Sequence, residues 1–310
     1  MSQTPFSIVY VVSGAGSDPF TEQCLVSIDS LRRVMPDAPV TVFMDRPTFD
    51  GLGDLIAPFE RLRTTLDVVD LPEDWSGLKR SGFLKTSLFD RMAGDFLFLD
   101  TDTVVCDDLS PISAYKGNLL AVPDRNCRFQ DNPTRAHMQE SATKLGGRPA
   151  WGGVQFNNGV LFVRHTEEAG RFFSAWHQLW LDGLERGVLG DQPAMNEVNC
   201  RFSGAITQIP AVWNCQLDQC GQWLPALGGA KVLHYLGDHS DETALYALNL
   251  PDTLAYGATG PSPATAAVLE DPKAAVQAPQ LILMKEQDAR ATRSPLFSQI
   301  KRLSYVIHGK

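Results

Sequence analysis

The apolar positions of the first hundred residues switch between two periods. Ser7–Ser13 (SIVYVVS) is a short β-branched and aromatic run ending at Gly14, and it reads as a buried strand. Cys24, Ile28, Leu31 and Met35 then recur at helical spacing, and Pro36 stops that helix. Val40–Met44 predicts a second strand and Leu66–Val69 a weaker third. Leu84, Leu88 and Met92 lie on one stripe and predict a single helix ended by Gly94. Phe96–Leu99 (FLFL) is another strand, running into Asp100-Thr101-Asp102. Strands alternating with helices predict βαβ units, an α/β fold with a mostly parallel central sheet flanked by helices. Ligands of such sheets collect at the carboxyl ends of the strands, where Asp100 and Asp102 stand.

The second half is more mixed. Leu119–Val122 predicts a strand, and Asp124–Trp151 reads as a long polar loop. Val154–Val163 is a strand interrupted by Asn157-Asn158-Gly159. Glu167–Leu181 is an amphipathic helix whose Phe172, Phe173, Trp176 and Trp180 belong to the core. A further helix opens at Gly190-Asp191-Gln192-Pro193, and Lys231–Tyr235 is a late strand carrying His234. Residues 1–250 therefore form the main domain. Residues 251–280, rich in Ala, Pro and Gly, read as a linker or wrapped tail. Residues 281–310 are a basic amphipathic segment, with Leu296, Ile300, Leu303 and Ile307 at helical spacing. No acid falls between Ala289 and Lys310, so this segment is a candidate for contact with an anionic membrane surface.

Charge narrows the function. The 310-residue chain carries a formal net charge of -9, which removes any global attraction for nucleic acid. A phosphate-bearing ligand must then be met by a local cation. The six cysteines form no CxxC pair and read as free thiols of a reducing compartment. The amino terminus has no basic region ahead of its apolar run and no cleavage-site pattern, so the expected location is the cytoplasm.

That local cation has an obvious seat. Asp100 and Asp102 are two residues apart, so in extended geometry their side chains point the same way. Together they can meet one ion, and carboxylate oxygens suit magnesium or manganese.

Asp100-Thr101-Asp102, following an apolar strand with three strands upstream, resembles the DxD motif of GT-A-fold glycosyltransferases. Phe156-Asn157-Asn158-Gly159-Val160 resembles the FNxGV segment of glycosyltransferase family 8, the glycogenin-like and bacterial galactosyltransferase-like group. Gly190-Asp191-Gln192 is similar to that family's DQ step, Leu233-His234-Tyr235-Leu236-Gly237 to its late histidine motif, and Lys85 to a lysine before the DxD strand. The resemblance spans about residues 6–240 and implies a GT-A, Rossmann-like fold. It implies transfer of a hexose from a nucleotide-diphosphate sugar, a UDP-sugar above all, to an acceptor hydroxyl with retention of configuration. It also implies metal ligation by Asp100, Asp102 and His234. Lys85, Thr101, Asn157, Asn158 and Gly159 would contact donor or acceptor, Asp191 and Gln192 would work at the transferred sugar, and Val11, Val12 and Ser13 would meet the base. The acceptor stays open among a glycan, a lipid-linked sugar, a protein and a small molecule. One departure stands out: after His234 the sequence runs LGDHSDET, with no lysine where the family commonly has one, and His239 is the nearest substitute.

Two other chemistries share these residues. Asp100-Thr101-Asp102-Thr103-Val104 also fits the opening motif of haloacid dehalogenase-like phosphatases, where the first aspartate is a nucleophile. That motif normally follows the first strand of its domain, not the fourth. A sugar nucleotidyltransferase would use a related fold, but Ser13–Asp18 lacks the basic residues of its loop.

Overall fold

The computed structural model describes residues 5–14, 19–147, 153–217, 221–235 and 255–276. The strands are β1 (Ser7–Val12), β2 (Val40–Asp45), β3 (Thr65–Val69), β4 (Phe96–Leu99), β5 (Thr103–Val105) and β6 (Leu119–Pro123). They continue with β7 (Phe156–Val163), β8 (Ile206–Gln208), β9 (Cys215–Gln216) and β10 (Val232–His234). The helices that matter here are α1 (Pro19–Val34), the short α2 (Arg46–Asp50) and α3 (Ile56–Arg61), then α4 (Gly77–Thr86), α5 (Leu88–Arg91), α6 (Arg135–Lys144), α7 (Glu167–Glu185) and α8 (Asp191–Arg201).

The main sheet runs β3-β2-β1-β4-β7-β6-β8. Strands β3, β2, β1 and β4 are mutually parallel, and so are β6 and β8. Strand β7 is antiparallel to both of its neighbours. The sheet is thus mostly parallel and covered on both sides, which is why β4 and β1 beyond Ser7 are buried and apolar. Side chains alternate between two cores. Ile8, Tyr10, Val12, Leu97 and Leu99 face one, with Cys24, Leu25, Ile28 and Leu31 of α1. Val9, Val11, Phe96 and Phe98 face the other, with Phe172, Phe173, Trp176 and Trp180 of α7.

Four expectations are corrected. The stripe Leu84, Leu88, Met92 does not form one helix, because the chain breaks at Ser87 (φ -99°, ψ 7°) between α4 and α5. Both pieces still bury their leucines, so the break leaves the apolar pattern unchanged. The stretch after Asp124 is no open loop: it holds two short 3₁₀ turns and α6. Strand β7 runs on through Asn157-Asn158-Gly159, although its pairing with β6 shifts register across them, and their backbone and side chains are bonded within the site described below. Part of the Ala/Pro-rich stretch is ordered structure. Tyr256–Gly257 and Gly260–Pro261 pair as a hairpin, followed by a helix over Pro263–Glu270. Tyr256 donates through its backbone N–H to Glu22 and through its hydroxyl to Asp29, fastening the hairpin to α1. The basic segment 281–310 lies outside the described residues. Among the described residues no helix is long and apolar enough to cross a membrane, and no disulfide joins two of the five described cysteines.

Two pairings carry the motifs together. Register between β4 and β7 sets Leu99 opposite Val160, so the residue after β4 falls beside the residue before Val160. Asp100 N–H accordingly donates to the Gly159 carbonyl at 2.7 Å. In a smaller sheet, β5 and β10 pair antiparallel with His234 opposite Thr103, and β10 runs parallel to β9. Tyr235 N–H donates to the Asp102 carbonyl at 3.1 Å, which closes His234 onto the acid pair.

Helix α4 approaches α7 through Gly82, where an added Cβ would stand 2.6 Å from Cζ2 of the fully buried Trp180. Gly82→Ala is expected to cost about 1–3 kcal/mol through overpacking. Thermal denaturation checks this against Gly94→Ala, whose Cβ meets nothing within 4 Å and should leave the midpoint unchanged.

Candidate active site

Asp100, Asp102 and His234 each offer one ligand atom, and these atoms lie within 4.8 Å of one another. His234 Nε2 is 3.1 Å from Asp102 Oδ1. Gly159 makes the approach possible. A Cβ there would come 2.6 Å from Asp100 Oδ2 and closer still to His234 Cε1. Two oxygens and one imidazole nitrogen form a donor set that manganese or magnesium accepts. The residues present therefore fit a divalent cation.

Positive charge already balances the acids. Lys85, from the last turn of α4, reaches Asp100 Oδ1 at 2.9 Å and lies 3.9 Å from Asp191 Oδ2. Its ammonium also sits 4.6 Å above the Phe98 ring. Burial by itself would lower the Lys85 pKa, but the carboxylates of Asp100 and Asp191 outweigh it and lift it above the usual lysine value. Desolvation pushes the Asp100 carboxyl above the usual carboxylate range; Lys85 pulls the other way, and Asp102 adds to the push. Burial also disfavours the His234 imidazolium, yet Asp102 against its ring prevails and the net shift is upward.

Helix α8 delivers the next pair. Asp191 and Gln192 open its first turn beside β7, docked by Asn196, whose amide bonds both the N–H (2.7 Å) and the C=O (2.9 Å) of Phe156. Asn158 Nδ2 donates to Asp191 Oδ2 at 2.6 Å, and Asn158 N–H to Gln192 Oε1 at 3.3 Å. Trp176 of α7 donates to the Asp191 carbonyl, bracing the same turn.

Sequence reasoning missed Asp124. It is buried at the end of β6, and its carboxylate accepts from Asn157 and Gln192 (3.2 Å each) and from Asn132 (2.9 Å). It also missed Asn214, fully buried between Asn157 and His234. Asp124 had a readable signal, an acid directly after an apolar strand like Asp100. Asn214 had none.

Two cavities flank this row of side chains. One, about 300 Å³, is lined by Val11, Ser13, Phe20, Leu78, Asp100, Thr101 and Asp102. The other, about 470 Å³, reaches Asp124, Asn157 and Gln192 from between α6 and α8. Val11 and Ser13 thus join the acid pair, whereas Val12 is buried in the core beneath and does not. Ser13 is itself held: its hydroxyl faces Asp45, which Arg80 Nε also contacts at 2.8 Å. Burial pushes the Asp45 carboxyl up, but hydrogen bonds from Ser13, Thr48 and Arg80 prevail and leave it below its ordinary value. His239 lies outside the described residues.

Sheet order and the acid pair at the end of β4 match the GT-A fold of the solved glycosyltransferase structures. The chain belongs to glycosyl transferase family 8, whose domain matches residues 70–239. Solved structures agree in fold. The galactosyltransferase LgtC, in complex with donor and acceptor sugar analogues, is 18% identical with a TM-score of 0.55, over 80% of this chain and 95% of its own. Mouse xyloside xylosyltransferase 1 is 14% identical with a TM-score of 0.52, over 75% and 98%. The glycosyltransferase GlyE of Streptococcus pneumoniae TIGR4 is 14% identical with a TM-score of 0.51, over 95% and 64%. No curated protein sequence matches the chain. Membership in a glycosyltransferase family removes the phosphatase and nucleotidyltransferase alternatives.

A cation bound here must displace the proton that His234 holds beside Asp102. Affinity for Mn²⁺ should therefore rise with pH, levelling only above the ordinary histidine range, because His234 is shifted upward. Calorimetric titration in buffers of different ionisation enthalpy should show proton release on binding; a pH-independent affinity would contradict it.

Proposed function

We propose that this protein transfers a hexose from a UDP-sugar to an acceptor hydroxyl with retention of configuration, using a divalent metal held by Asp100, Asp102 and His234. The observation that carries the reading is the junction of the Asp100-Asp102-His234 cluster with Lys85, Asp191 and Gln192 in one connected set of contacts, with a cavity on either side.

On this reading the smaller cavity takes the nucleotide. Val11 and Ser13 meet the base, and Thr101, between the two acids, faces the same space. A cation bound at the acid pair would neutralise the charge that develops on the diphosphate leaving group. Lys85 is already charged and desolvated, so it can donate to a phosphate or sugar oxygen by letting go of Asp100. Asp191, fixed by Asn158, orients the hydroxyls of the transferred sugar. The Gln192 carbonyl oxygen is turned toward β7 by the Asn158 N–H, and its amide nitrogen toward Asp124. Gln192 thus offers polar contact near the anomeric carbon without being a carboxylate nucleophile. That suits attack by the acceptor hydroxyl from the same face as the departing diphosphate, which gives retention. The acceptor, a glycan or a lipid-linked sugar, enters from the larger cavity, where Asn157 and Gln192 meet it.

Residues 1–250 make up the catalytic domain on this account. A cytoplasmic location, the expectation from the amino terminus, fits a donor that is a nucleotide sugar. The basic segment 281–310 would bring the enzyme to the inner membrane face when the acceptor is lipid-linked.

Calorimetric titration of UDP, with and without Mn²⁺, into the wild type and Asp102→Ala tests the core of this reading. Binding that requires the metal and is lost in Asp102→Ala is expected, together with slow hydrolysis of UDP-glucose or UDP-galactose by the wild type alone. Folded wild type that binds no UDP with any metal would sink the assignment of donor and cofactor.

A further inference from the structure

The ring of His234 is held on both sides. Nε2 faces Asp102, and Nδ1 lies 3.1 Å from Asn214 Oδ1. Which ring nitrogen keeps a proton when a cation is bound depends on which end of the Asn214 amide faces it.

The surrounding network leaves that amide one orientation. A carboxylate can only accept a hydrogen bond, and a backbone N–H can only donate. Asn157 lies between one of each. Its Nδ2 donates to Asp124 Oδ1 at 3.2 Å, and its Oδ1 accepts from Gly159 N–H at 2.9 Å. Turning the Asn157 amide over would set donor against donor at Gly159 and acceptor against acceptor at Asp124. Asn157 Oδ1 therefore faces Asn214, which must donate to it through Nδ2, at 2.9 Å. The Asn214 backbone is tied down as well, its carbonyl accepting from Asn126 Nδ2 at 2.8 Å. That leaves Asn214 Oδ1 for His234, and an oxygen there calls for a proton on Nδ1.

We propose that Asn214 is a positioning residue for the metal site: locked by Asn157, and through it by the Asp124 carboxylate and the Gly159 N–H, it holds a proton on His234 Nδ1 and reserves Nε2 for a divalent cation at Asp100 and Asp102. The proposal rests on the metal reading given above and adds a residue to it. Reversed, the Asn214 amide would press its NH₂ against Nδ1 and drive the proton to Nε2, where it would block the ion. Partners of this kind behind a ligating histidine are typically worth about 10–100-fold in metal affinity.

The test uses Mn²⁺ alone, with the free ion followed by electron paramagnetic resonance, on the full chain and two variants. Asn214→Leu removes the acceptor and should weaken Mn²⁺ binding by about 10–100-fold. Asn214→Asp keeps an acceptor toward Nδ1 but loses the donation to Asn157 Oδ1, so it should retain clearly more Mn²⁺ affinity than Asn214→Leu without matching the wild type. A folded Asn214→Leu that binds Mn²⁺ as tightly as the wild type would overturn the proposal, as would a folded Asn214→Asp that loses binding as completely as Asp102→Ala. The second arm holds even where the leucine variant does not fold. Wild type that binds no Mn²⁺ would remove the metal reading and this one with it. Unaltered Mn²⁺ affinity in Asn214→Leu, with metal-dependent UDP binding intact, would remove only the role of Asn214.

Discussion

Two carboxylates at the end of one buried strand repel each other, and the site is organised around that repulsion. Asp100 and Asp102 follow β4, whose residues are all buried. Water cannot screen them fully, so positive charge has to be supplied by the protein. Lys85 supplies it at Asp100 and His234 at Asp102. Both shift upward as a result, holding their protons more firmly than in water. The acid pair is then a place where charge can be exchanged: a cation that entered would replace Lys85 at Asp100 and the proton of His234 at Asp102.

Such an arrangement depends on strand register more than on any single bond. A slip of one residue between β4 and β7 would turn every side chain of one strand to the opposite face. It would also move Gly159 away from the gap between Asp100 and His234, where a side chain cannot fit. The small sheet of β5, β9 and β10 does the equivalent for His234 and Asn214, since β9 begins at Cys215, one residue after Asn214. Helix α8 is placed by the paired hydrogen bonds of Asn196 to Phe156, so Asp191 and Gln192 take their position from β7 too.

The strands of the first half were legible because buried parallel strands are continuous apolar runs bounded by turn residues. The acid pair was legible because charge at the end of such a run is out of pattern. Helix α6 was not, since RAHMQESATK buries only Ser141 and shows no apolar stripe. Asn157-Asn158-Gly159 looked like a break because polar residues inside a strand usually face water. Here Asp124, Asp191 and Asn214 take up their amides instead. Asp124 carried the same mark as Asp100, an acid after an apolar strand, but its partners Asn157 and Gln192 lie 33 and 68 residues away. Asn214 lies 57 residues from Asn157, and nothing local marks it. Family resemblance pointed to His234, and only the three-dimensional network supplied what stands behind it.

Anomalous diffraction at the manganese edge, from crystals grown with Mn²⁺ and UDP, tests the central claim most directly. The account predicts one strong peak bounded by Asp100, Asp102 and His234 Nε2, with UDP in the cavity of Val11 and Ser13. Lys85 should have left Asp100, and Asn214 Oδ1 should still face His234 Nδ1. A bound nucleotide with no peak at these residues, or with the ion elsewhere, would contradict it.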